Sequence, residues 1–424
     1  MAPSYKIKGS PAQGLFGATV AFFIGLAAVA LFGPTAKSLA KTLNLDAVSL
    51  GFLIGIPSLM GALLRIPFGA LVETTGGKIP NLILLTFAFI GITGLALTIN
   101  QPTFWTLAFF GAVAGFGVAT FSVSMAQVSY WYPKKKQGTA NGIYGGVANL
   151  SPGIASLWIP LALGLYGAQN TYWLWLVYLG SGILLYLLFG KNAPYFQLRK
   201  QGASEDEARR LAAEVGQELF PQGTAVQSLK TTAKYWQTWV LVGVYFTTFG
   251  GFLALTAWFP NYWQTTFNLK LFPDAVGLTA LFSIGASLMR VAGGFVSDKL
   301  GGERTAFGAI GVLVVGAALM IFSTGNFGLA VTGLVLLAIG MGVNNAATFK
   351  ILPQVIPSAM GGASGWIGGL GALGGFLFPI VQGLFIRDPK VADPGYNLSF
   401  VVYLAAGLLS LVLLTILTRK KARP

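Results

Sequence analysis

A chain of 424 residues that is 54% hydrophobic and 9% charged, with 57 glycines, lies far from the roughly 25% charged content of soluble domains and belongs in a bilayer. Without cysteine or histidine it has no disulfide framework, no thiolate metal site, no thiol nucleophile and no imidazole base. Its formal charge of +15 is accounted for by where the basic residues fall along the chain, so it calls for no nucleic acid or other polyanionic partner.

Apolar runs of about 20 residues, each able to cross the roughly 30 Å hydrocarbon core as a helix, recur along the whole length. Twelve spans are predicted: 14 to 36, 47 to 72, 80 to 99, 103 to 131, 138 to 166, 171 to 190, 235 to 260, 274 to 297, 305 to 324, 327 to 352, 359 to 386 and 396 to 418. Placing both termini in the cytoplasm puts Lys6, Lys8, Lys78, Lys134, Lys135, Lys136, Lys299, Arg304, Arg419, Lys420, Lys421 and Arg423 inside. Only Lys37, Lys41, Lys270, Arg387 and Lys390 then lie outside, which is the asymmetry expected of a protein of the cytoplasmic membrane. Met1 to Ser10 are polar and basic and no cleavage pattern follows them, so the first span is read as retained.

The first span reaches Gly33-Pro34, a pair that ends or kinks it. The second carries Arg65-Ile66-Pro67-Phe68-Gly69 past its midpoint, followed by Glu73 and Gly76-Gly77. The eighth repeats this pattern 225 residues later, as Arg290-Val291-Ala292-Gly293-Gly294 followed by Asp298 and Gly301-Gly302. An arginine at membrane depth costs about 2.5 to 3.5 kcal/mol on insertion scales, so two at equivalent places call for a function. They are read as two jaws of an anion site, while the acids and Gly-Gly pairs read as tight turns whose carboxylates cap or pair with neighbouring basic groups.

Tyr130-Trp131-Tyr132-Pro133 forms an aromatic belt with a lysine cluster beyond it, as expected at the inner interface. The fifth span holds Gly142 and Gly145-Gly146, then Asn149, Ser151-Pro152 and Gly153; the eleventh holds Gly365, Gly368-Gly369, Gly371 and Gly374-Gly375 before Phe376. Small residues at such spacing let helices approach closely, and two bundles that rock against each other need such faces. The one long polar segment, 191 to 234, divides the chain into bundles over 1 to 190 and 235 to 424, and residues 203 to 219 are expected to form a polar helix on the inner membrane face.

Two six-helix halves with matching motifs and a cytoplasmic connector resemble the major facilitator superfamily, an all-α integral membrane fold of twelve helices in two pseudo-symmetric bundles. Within it, Gly145-Gly146 with Asn149 and Pro160, Gly368 through Gly375 with Phe376 and Pro379, and an arginine on the second and eighth spans are similar to the nitrate/nitrite porter family. The resemblance covers nearly the whole chain. It implies that Asn149, Tyr245, Phe121 and Phe349 line the substrate path, with Phe121 and Phe349 walling the site. Tyr245 falls in Tyr245-Phe246-Thr247-Thr248-Phe249-Gly250, where a phenol can donate to an anion oxygen. Two departures stand out: Ser151-Pro152 interrupts the glycine pattern, and Ala372 occupies the place where the repeat would put Asn149.

The chemistry points the same way. Guanidinium is a flat, permanently charged fork of donors suited to planar oxyanions. With no intramembrane carboxylate to neutralise them, Arg65 and Arg290 are expected to hold nitrate or nitrite between them, with no cofactor and no metal. An integral-membrane enzyme lacks the necessary acid-base groups. An anion channel and a facilitator for another small anion remain as alternatives. The mechanism expected is alternating access by a monomer exchanging nitrate for nitrite, with a second route open. Lys350, on the tenth span after Phe349, either snorkels to the inner interface or, desolvated near the arginines, takes up the proton of a nitrate/proton symport.

Overall fold

The computed structural model describes residues 5 to 133, 137 to 221, 224 to 356, 360 to 386 and 395 to 421. Lys134, Lys135, Lys136, Arg387, Lys390 and Arg423, placed in loops or the tail by the charge pattern, lie outside the described residues. Among the described residues, eleven helices are long and apolar enough to span a membrane. One of them, Ala140–Phe189, is two crossings in one, because Gly167 sits at φ 75°, a backbone open to glycine and strained for other residues. The count of twelve follows.

In chain order, α1 is Pro11–Thr35, α2 Ala47–Thr75, α3 Lys78–Thr98 and α4 Phe104–Trp131. The arms 140–166 and 168–189 are α5 and α6. Then come α7 Trp236–Thr266, α8 Leu271–Leu300, α9 Gly302–Ile321, α10 Phe327–Leu352, α11 Gly362–Gly383 and α12 Leu398–Arg419. The repeated motif produces the same stop twice: Gly76 at φ 72° follows α2 and Gly301 at φ 87° follows α8, so each Gly-Gly pair turns the chain directly into the next helix. Asp46 caps the start of α2 by accepting from the Ser49 N–H at 2.7 Å, which holds its carboxyl below the usual carboxylate range.

Besides α8, which opens with a π-type turn over Leu271–Ala275, three of the membrane helices change pitch along their length. α1 is α-helical only to Leu26 and continues in 3-10 turns, with Gly33-Pro34 opening the last of them. α4 tightens into a 3-10 turn over Gly115–Ala119. α7 does the reverse, widening into a π-helical turn over Phe246–Gly250.

Glycines set the distance between the bundles. A Cβ on Gly51 would lie 2.5 Å from the Pro379 carbonyl and one on Gly55 2.9 Å from Phe376 Cα, so α2 meets α11 almost backbone to backbone, while one on Gly146 would lie 2.3 Å from Val291 Cγ2, so α5 receives the side chain of α8 against its own backbone. The polar connector folds into three short helices. Pro194–Lys200 and Glu205–Glu214 are tied to the N-terminal segment, where Tyr5 donates to Glu207 and the Lys6 and Lys8 amides donate to Gln201 and Gln197. The polar helix expected over 203 to 219 is thus shorter, ending before Gly216 at φ 90°. The third, Ala225–Ala233, lies on α11: the Gly362 amide donates to Ser228 and the Trp366 indole to the Leu229 carbonyl.

Candidate anion site between the bundles

Arg65 is fully buried. The 3-10 turn of α4 presents the Val118 carbonyl to it, and Nε and Nη2 donate to that oxygen at 3.3 and 3.1 Å. Nη1 reaches α11 and donates to the Gly368 carbonyl at 2.9 Å. The sequence-based expectation of two unpaired guanidiniums is therefore corrected for Arg65, which is held by helix carbonyls. Among the described residues no carboxylate forms an ion pair with either arginine.

Arg290, on α8, is 4% exposed, and its Nη1 has no hydrogen-bond partner among the described residues. Gly145 on α5 forms the wall beside it: a Cβ there would lie 3.0 to 3.2 Å from Nε, Cζ and Nη2. Asn149 is one turn further on the same face of α5, buried, with Oδ1 unpartnered. Tyr245 is buried on α7, and its hydroxyl lies within electrostatic reach of Arg290 without meeting hydrogen-bond geometry. An orphaned buried polar group costs about 1 to 3 kcal/mol, so a guanidinium nitrogen, a phenol and an amide oxygen left unsatisfied in one region mark a place suited to a polar occupant.

The two charges share a pair of rings. Cζ of Arg65 lies 4.6 Å from the Phe121 centroid and 5.0 Å from that of Phe249, and Cζ of Arg290 lies 5.8 Å from both. Phe121 and Phe249 themselves stack at 5.7 Å. Phe349 meets Tyr245 edge-on at 5.1 Å and sits 6.2 Å from Phe121, one ring further from the guanidiniums. Phe249 is thus a site residue that the reading of the sequence did not single out. Its signal was present, since it follows Tyr245 by four residues, and the two rings stack at 4.9 Å with only 5° between their planes.

The other glycines named from the sequence meet the same region. Gly368 supplies the carbonyl to Arg65, and a Cβ on it would lie 3.1 Å from the Phe121 ring; one on Gly369 would lie 2.8 Å from Ile66 Cγ1. Lys350 is placed elsewhere. Its ammonium pairs with Asp298 and its side chain is 39% exposed, so the desolvated lysine beside the arginines is corrected to a partly solvated ion pair at the end of α8. Glu73, the counterpart of Asp298, accepts from the Tyr130 hydroxyl at 2.7 Å.

Twelve membrane crossings in two pseudo-symmetric bundles, with buried cationic groups at their junction, define a secondary transporter rather than an enzyme. The chain belongs to the Major Facilitator Superfamily, whose family model matches residues 18–379 and 273–424. It is 28% identical over 390 residues to the probable nitrate/nitrite antiporter NarK1 of Thermus thermophilus, covering 86% of this chain and 83% of that one. It is 27% identical over 372 residues to the nitrite extrusion protein of Bacillus subtilis, covering 88% and 85%. Among solved structures, the xylose transporter XylE from E. coli in a partially occluded inward-open conformation superposes with a TM-score of 0.69 at 16% identity, over 98% of each chain. That likeness concerns the fold alone.

Proposed function

We propose that this transporter carries nitrate and nitrite across the cytoplasmic membrane by alternating access, exchanging one for the other. The observation that carries this reading is the pair of buried guanidiniums, Arg65 and Arg290, on one pair of rings with no carboxylate of the described residues to neutralise them. A planar oxyanion would take up the open donor of Arg290 beside the fixed charge of Arg65, with the Tyr245 hydroxyl and the Asn149 amide as further polar groups at its edge. The names of the relatives support the same substrate class.

The working unit is a monomer, with bundles over residues 1 to 190 and 235 to 424 joined by 191 to 234 and with both termini cytoplasmic. Exchange follows from electrostatics. Two like charges buried over the same pair of rings repel, on the order of a few kcal/mol at an effective dielectric near 20, and an anion between them relieves this, so the loaded carrier reorients more readily than the unloaded one. Symport through Lys350 has less support, because that lysine shares its charge with Asp298 in a solvated position.

The test is uptake into proteoliposomes. Nitrate outside should exchange for nitrite inside much faster than net uptake into vesicles without internal anion, and chloride and phosphate should compete poorly. Equal rates with and without internal nitrite remove the exchange reading, and effective competition by chloride or phosphate removes the substrate assignment.

A further inference from the structure

The π-helical turn of α7 is held from two sides by side chains with no direct part in an anion site. Within the turn, Thr248 Oγ1 donates to the Val244 carbonyl at 3.2 Å, and Thr247 Oγ1 donates to that of Gly243 at 3.2 Å, so both hydroxyls satisfy backbone acceptors of the preceding turn. Each is in turn fixed by another helix. Ser410 on α12 donates to Thr247 Oγ1 at 2.9 Å, and Asn344 on α10 donates from Nδ2 to Thr248 Oγ1 at 3.0 Å and to Thr348 Oγ1 at 3.3 Å. Asn344, Thr248 and Thr348 are all fully buried.

A π-turn carries one residue more per turn than the flanking helix, so its ring of hydrogen bonds is looser and it persists where side chains or function hold it. What this turn separates is decisive. Tyr245 is the last residue before it and Phe249 lies inside it, and those two rings stack on each other while Phe249 faces both guanidiniums. Were the turn to relax to α-helical pitch, the angular step between 245 and 249 would change and the phenol and the ring could not both keep their places against Arg290.

We infer that Asn344 and Thr248 are positioning residues that clamp the π-turn of α7 and so aim Tyr245 and Phe249 at the anion. Asn344 touches neither arginine in any hydrogen bond and acts through Thr248. The clamp itself stands on geometry, while its effect on transport rests on the nitrate/nitrite reading.

The experiment compares wild type, Thr248→Val, Thr248→Ser and Asn344→Leu in two measurements. Deuterium uptake by the amides of 246 to 252 reports the turn with no substrate involved. Nitrate/nitrite counterflow gives the half-saturating concentration and maximal rate. Uptake should rise in Thr248→Val and Asn344→Leu and stay at the wild-type level in Thr248→Ser, which keeps the hydroxyl. In the first two variants the half-saturating concentration should rise on the order of tenfold, with a maximal rate within about twofold of wild type, as expected when an orienting hydrogen bond is lost but the chain still reorients.

Unchanged deuterium uptake in both Thr248→Val and Asn344→Leu overturns the clamp, as does a serine variant that behaves like the valine one. Raised uptake with unchanged half-saturation overturns the positioning role. Should Thr248→Val fail to purify as a monodisperse protein, Asn344→Leu decides both questions. If wild type moves neither nitrate nor nitrite, it is the substrate reading that fails, and deuterium uptake still decides the clamp.

Discussion

Arg65 on α2 donates to the carbonyl of Gly368 on α11, and this one hydrogen bond of 2.9 Å joins the two bundles at the level of the buried charges. Arg290 also reaches across, but by packing against Gly145, and it keeps Nη1 free of any partner among the described residues. The two arginines of the repeat therefore differ. One is a strap between backbone carbonyls, and the other is poised for an incoming acceptor.

Replacing either arginine by lysine keeps the charge and removes the fork. Arg290→Lys should cut counterflow by two orders of magnitude or more with little change in thermal stability. Arg65→Lys should lose transport too and also unfold earlier in detergent, since two buried carbonyls lose a donor at about 1 to 3 kcal/mol each. Identical stability of the two variants would show that the strap contributes nothing.

Glycine substitutions separate packing from helix propensity. At Gly142 an added Cβ meets nothing within 4 Å, so Gly142→Ala should be neutral or stabilise by up to about 1 kcal/mol. At Gly145 the same methyl displaces the Arg290 guanidinium by a few tenths of an ångström, so Gly145→Ala should raise half-saturation about tenfold. Gly146→Ala, whose methyl would sit 2.3 Å from Val291, should slow reorientation instead. Kinetic constants for the three variants decide this.

Phe249 lies within cation–π range of both guanidiniums, each such contact being worth about 0.5 to 2 kcal/mol. Phe249→Leu should weaken nitrate binding by roughly fivefold to thirtyfold, whereas Phe349→Leu, which loses ring contacts with Tyr245 and Phe121 one ring further from the guanidiniums, should do less. Nitrate titration of purified protein is the measurement, and an effect of Phe349→Leu equal to that of Phe249→Leu would contradict the ring arrangement.

Lys350→Gln breaks an exposed ion pair with Asp298, and such pairs contribute about 0 to 1 kcal/mol. The variant should keep both counterflow and the response of nitrate uptake to an imposed pH gradient. Loss of the gradient response with counterflow retained would restore this lysine as a proton carrier.

Composition, the run length of apolar segments and the spacing of the two arginine motifs determined the bilayer, the twelve spans and the two-fold repeat, because each is a property of consecutive residues meeting a 30 Å solvent slab. The arginines and Gly145 were nameable for the same reason: an arginine costs too much in an apolar run to be incidental, and glycines reveal close approach by their spacing, whereas Tyr245 and Phe121 were named only through the resemblance to the nitrate/nitrite porter family. Partners across the interface were not. That Arg65 binds Val118 and Gly368 depends on how α4 tightens and how α11 lies against α2, and a carbonyl acceptor leaves no mark in the identity of its residue. Lys350 was placed by proximity in sequence to Phe349, but its neighbour is Asp298, 52 residues earlier, brought close only when α8 packs beside α10. The π-turn is of the same kind: its threonines read as ordinary helix residues, and only Asn344 and Ser410 from two other helices hold the wider turn in place.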